Sequence, residues 1–153
     1  MSKVYFKINL KKDAENWWQA CNSSFMDVDW KLKIKSSLRK HIVGKSKEKA
    51  KKFLKPYLRK RYKEDAESFK KFKEAELFWK KIEKKIFNRL KKITKKSIYP
   101  KKIICYYTTL PRGMYRIEKD HAWMQLDPKE FFPKEFYSMA ILHEIMHFQF
   151  HKY

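Results

Sequence analysis

Between Lys31 and Lys102 stand 29 lysines and arginines against seven acidic residues, an excess equal to the net charge of +22 carried by the whole 153-residue chain. The two flanks are therefore neutral in sum. A segment so charged can bury only narrow apolar stripes, and its apolar residues have the spacing for that. Ala50, Phe53, Leu54, Tyr57, Leu58 and Tyr62 fall at helical intervals, and Phe72, Ala75, Trp79, Ile82, Ile86, Leu90 and Ile93 recur in steps of three and four. Two long helices with lysines outward are predicted, packed as an antiparallel pair against a third helix near the C-terminal end. Gly44 with Ser46 opens the region, Pro56 should kink or delay its first helix, and Tyr99-Pro100 closes the helical half.

The flanks carry different patterns. Val4 to Leu10 alternates apolar and polar residues as a half-buried strand would, Asp13 is placed to cap a short helix bearing Trp17, Trp18 and Ala20, and Asn22, Ser23 and Ser24 mark a loop. Ile103 to Thr109 and His121 to Leu126 read as strands, with Leu110-Pro111-Arg112-Gly113 as a turn after the first. An α+β domain spanning 1–153 is predicted: an N-terminal strand and short helix (1–45), a basic helical region (46–98), and a hairpin with a C-terminal helix (99–153). With 43% hydrophobic residues the chain can bury a core. Cys21 and Cys105 sit in unrelated contexts, which points away from a disulfide framework or thiolate metal site and toward a reducing interior. No apolar run approaches the length of a membrane span, and the first residues lack the core of a signal peptide, so a cytoplasmic location is expected.

From Lys134 to Tyr153 neither proline nor glycine interrupts the chain, Pro133 suits a first helical position, and Glu135 complements the helix N-terminus. Within this run His143, Glu144, Ile145, Met146 and His147 spell His-Glu-x-x-His. Positions four apart share a helix face, so the two imidazoles can meet one tetrahedral Zn²⁺ with a carboxylate beside them. Phe136, Ala140, His143, His147 and His151 lie on that face, and Ile141, Leu142, Ile145 and Phe148 cover much of the rest, predicting a helix buried nearly all round. The alternative use of His143 and His147 is as hydrogen-bonded histidines of a core.

By this motif the last third of the chain resembles the zincin superfamily of zinc metallopeptidases. The resemblance implies that His143 and His147 bind zinc, that Glu144 is the general base, and that a strand lies above the active helix to hold an extended peptide. It also implies a third ligand downstream of the second histidine, and here the chain departs from the family. His151 is the sole downstream candidate, but it stands roughly 12 Å along the helix axis from His143, with no glycine to bend the chain between. Three explanations stay open: a continuation of the chain supplies the ligand, which makes this an incomplete zincin domain; His121, Asp120 or Asp127 closes the site from upstream; or the motif belongs to a catalytically inactive relative. Tyr137, His121 and His151 are candidates to assist the developing oxyanion.

The expected function is zinc-dependent hydrolysis of a peptide or protein substrate. The alternative is a lysine-rich nucleic-acid-binding protein, because a surface this positive attracts phosphate backbones. Lysines outnumber arginines 33 to 6, which favours nonspecific binding, since lysine lacks the two-pronged fork that reads base edges. Arg59, Lys60 and Arg61 beside Tyr57 and Tyr62 form one basic cluster interleaved with aromatics.

Overall fold

A computed structural model describes residues 2–23, 29–110, 112–116, 119–125 and 134–153. Strand β1 (Lys3–Lys7) ends earlier than its alternation suggests, because Asn9 turns the chain. The Asn9 Oδ1 accepts from the amides of Lys11 and Lys12 at 3.0 and 3.2 Å and so caps helix α1 (Leu10–Asn22). Asp13, expected at that cap, instead lies in the first turn and is fully buried. The expected loop begins after Asn22, and Ser24 lies outside the described residues.

A 3-10 turn (Trp30–Lys33) and one helical turn, α2 (Ser36–Arg39), lead to Gly44, whose φ of +66° favours glycine. Ser46 then caps helix α3 (Lys47–Glu64), its hydroxyl accepting from the Lys49 amide. α3 runs through Pro56 without interruption. The helical hydrogen bond lost there is the one to the Lys52 carbonyl, and both residues face solvent. Asp65 alone separates α3 from α4 (Ala66–Thr94), and its carboxylate accepts from the hydroxyls of Ser68 and Tyr107, pinning the junction to the sheet.

The remaining elements are β2 (Lys102–Thr108), β3 (Met114–Arg116), β4 (His121–Gln125) and α5 (Lys134–Lys152). The strand order is β1-β2-β4-β3; β1 and β4 both run parallel to β2, and β3 runs antiparallel to β4. The fold is thus α+β, with a four-stranded mixed sheet where the sequence shows a small hairpin. The antiparallel pair is β3 with β4, whereas the two strands read from sequence lie side by side in parallel, Cys105 opposite Ala122. Pro111 and Leu126, named in those expectations, fall outside the described residues.

Alternation along β2 sorts the interior into two sides. Ile103, Cys105 and Tyr107 face a core shared with Phe72, Ala75 and Trp79 of α4 and Ile141, Ile145 and Phe148 of α5. Tyr106 and Trp123 point the other way, and the Trp123 indole donates to the Lys12 carbonyl of α1 at 3.0 Å. α3 buries Ala50, Leu54 and Leu58 against Ala14, Trp17 and Ala20 of α1. α4 thus packs against α5 as expected, whereas α3 serves a different core and does not join it as a pair. Each stripe lies where the sequence puts it except at the end of α4, where Ile93 is exposed.

Candidate metal centre

Helix α5 is buried on one side only. Tyr137, Ser138, Ile141, Ile145, Phe148 and Gln149 face inward, while Phe136, Met139 and Phe150 are 44, 67 and 76% exposed. The all-round burial suggested by composition does not occur, because α4 and the sheet meet a single face of the helix. His143 lies on the open side and His147 at its margin.

One helical turn brings the Nε2 atoms of His143 and His147 within 3.0 Å of each other, with their ring centroids 4.6 Å apart and the planes at 86°. Two nitrogens each about 2.05 Å from a tetrahedral zinc stand about 3.3 Å apart, so the pair fits two positions around one ion. Burial, then the neighbouring His143 and His151, hold the His147 imidazolium below its ordinary pKa, which leaves the neutral ring that a metal requires. The Tyr115 ring of β3 stacks on His147, with centroids 4.2 Å apart and planes at 18°, and fixes the imidazole plane. The Tyr115 hydroxyl stands 3.4 Å from the Nε2 of His151.

Glu144 lines a cavity of about 190 Å³ together with Val4, Ile103, Cys105, Ala122 and Ile141, with Gly113 at its side. Its Oε2 is enclosed without a hydrogen-bond partner, and burial raises its pKa to about 7. A Cβ at Gly113 would stand 3.7 Å from Glu144 Oε1, an ordinary contact, so glycine there leaves room beside the carboxyl without being required by it.

The other candidate residues do not converge on this pair. His121 is 3% exposed on the α1 face of the sheet, edge-on to Trp123, with its Nδ1 at the Lys119 carbonyl; strand alternation turns it away from α5. Burial and then the nearby Lys12 depress its pKa to about 4. Asp120 adopts a φ of +51° in the turn before β4, where its carbonyl accepts from the Ile104 amide. Tyr137 is buried in the core beside Ile141. Asp127 and Pro133 lie outside the described residues. Among the described residues, no three His, Cys, Asp or Glu side chains gather as a metal-holding group, and the close pair is His143 with His147 alone.

Tyr115 is the residue that sequence reasoning missed. It comes from a strand of three residues, too short to show alternation, and its approach to His147 depends on pairing with β4. No family model, curated protein or solved structure matches the chain.

Proposed function

We propose that the protein is a zinc-dependent metallopeptidase, with His143 and His147 as metal ligands and Glu144 as general base. The observation that carries this reading is the 3.0 Å approach of the two Nε2 atoms, with the residue after the first histidine, Glu144, holding an enclosed carboxyl oxygen without a hydrogen-bond partner. Zinc at this pair would supply Lewis-acid polarisation of the scissile carbonyl. The chain's own residues do the rest. Glu144 takes a proton from the attacking water and returns it to the leaving amine. Tyr115 holds the His147 ring in plane, and β3, the edge strand that carries it, offers backbone groups to an extended peptide.

Metal analysis after dialysis against a mild chelator tests the first half. One zinc per chain is expected in the native protein and none in His143→Ala or His147→Ala. Glu144→Gln is then expected to keep the zinc while hydrolysis of an unstructured peptide mixture falls by at least about 10²-fold. A native protein that retains no zinc, or a Glu144→Gln variant that cleaves at the native rate, overturns the assignment.

A further inference from the structure

The excess charge is not spread evenly over the surface. Around α1, the start of α3 and the first half of α4, carboxylates meet several of the lysines. Glu15 takes Lys12 and Lys47 at 3.1 and 2.7 Å, Glu48 takes Lys51 at 3.3 Å, and Glu76 takes Lys73 and Lys80 at 2.8 and 2.6 Å. Beyond Lys80 this changes. From Lys81 to Lys96 the sole acid is Glu83, and its Oε1 is turned inward, accepting from the Val4 amide at 2.7 Å and the Trp79 indole at 3.0 Å. Lys81, Lys84, Lys85, Arg89 and Lys92 are all exposed, and with Asn88 they line one open groove along the outer face of the helix.

Their spacing is that of a single helix face, one or two cations per turn. Neighbours a turn apart stand roughly 5 Å along the axis, inside the Debye length of about 8 Å at physiological salt, so each feels the others' repulsion. A partner that supplies a matching row of anions relieves it. Lys81 to Lys92 covers roughly 16 Å of axis, close to the rise of five nucleotides along one strand of a duplex at about 3.4 Å each.

Two further observations narrow the partner. The face presents no exposed aromatic ring, since Trp79 and Phe87 are buried, so it lacks the stacking platform by which proteins hold single strands. The apolar stripe of α4 is largely committed to the core through Phe72, Ala75, Trp79 and Phe87, and the exposed Leu77 and Ile93 stand roughly four turns apart, so the helix has no continuous apolar face to lay into a lipid surface. We propose that the C-terminal half of α4 is a docking surface for duplex nucleic acid, held through one strand's phosphates and indifferent to sequence.

Fluorescence anisotropy with a labelled 20-base-pair duplex, titrated with the full chain in EDTA between 50 and 300 mM salt, tests this. Five phosphate contacts give a slope of log K against log salt of about −4.5. The triple variant Lys84→Gln, Lys85→Gln, Arg89→Gln is expected to flatten that slope by about 2.7 and to weaken binding at 0.1 M salt by about 10²-fold or more. Lys81→Gln with Lys92→Gln should flatten it by about 1.8. The control Lys49→Gln, Lys52→Gln, Lys55→Gln removes the same charge from exposed positions of α3 and should change affinity by less than about threefold. Equal losses in the two triple variants would assign the affinity to net charge and sink the proposal. Tighter binding to a single strand of the same length, or to vesicles one-third anionic lipid with no affinity for the duplex, would sink it too. Binding unaltered by EDTA and by His147→Ala keeps this surface separate from the metal pair.

Discussion

Two carboxylates two residues apart on α1 are shifted in opposite directions. Asp13 is sealed from solvent and accepts from the Thr108 hydroxyl, the Thr109 amide and the Thr109 hydroxyl at 2.7, 3.1 and 2.8 Å. Burial nevertheless outweighs these three donors and raises its pKa from the ordinary 3.8 to about 6. Burial also acts on Glu15, but Lys47 and Lys12 overcome it and hold the pKa at about 2. The folded state therefore binds the Asp13 proton more tightly than the unfolded chain does, so that contribution is complete below about pH 4 and disappears as pH rises through 6. Glu15 has the reverse sign: its contribution is complete above about pH 5 and fades as pH falls toward 2. Asp13 is worth about 3 kcal/mol at most, and Glu15 less than that, because its lysine partners are partly exposed and screened. Urea midpoints of the native protein and of Asp13→Asn should therefore hold a constant difference below pH 4 and diverge between 4 and 6, the native curve losing stability relative to the variant, while Glu144, its pKa raised in both, adds the same decline to each. A difference that stays constant across that interval would refute the Asp13 assignment. At this scale the sequence is legible where one helix suffices, as with His143, Glu144 and His147. It is silent where a contact joins residues 95 or 96 apart, as with Asp13 and the threonines.

Among the elements, β1 shows how a charged helix also closes a sheet. It is an edge strand, and the Val4 amide, pointing away from β2, is taken by Glu83 of α4. Glu83→Ala should leave both that amide and the Trp79 indole without a partner and cost about 2–4 kcal/mol, whereas Glu83→Gln keeps an acceptor oxygen and should cost less than half as much. Thermal denaturation of the two variants measures the difference; equal losses would mean that charge matters there and acceptance does not. The stripes of α3 and α4 are plain in the sequence because a 3.6-residue period is local. That α3 is covered by α1 is not, since a stripe says which face is buried and nothing of what covers it. The same limit explains α5, whose apolar composition suggested burial on every side although, among the described residues, one side alone meets the other elements.

On the scale of the whole molecule, no helix among the described residues is long and apolar enough to cross a membrane. The class of the fold was readable from the alternation of helical and strand patterns, but not the sheet's order, because β1 finds β2 across roughly a hundred residues. That long-range pairing gives β2 an unusual position. It shows Ile103, Cys105 and Tyr107 to α4 and α5, and Tyr106 and Thr108 to α1, so neither side of the protein can come apart without stripping a wall from the other. The consequence is cooperative unfolding. Amides of Ile103 to Tyr107 should exchange with deuterium only through global opening, all with one free energy, which native-state exchange at graded denaturant would reveal. If the α1 and α3 amides exchanged at that same free energy, the molecule would be a single unit of stability, with β2 as the strand that both halves must leave together.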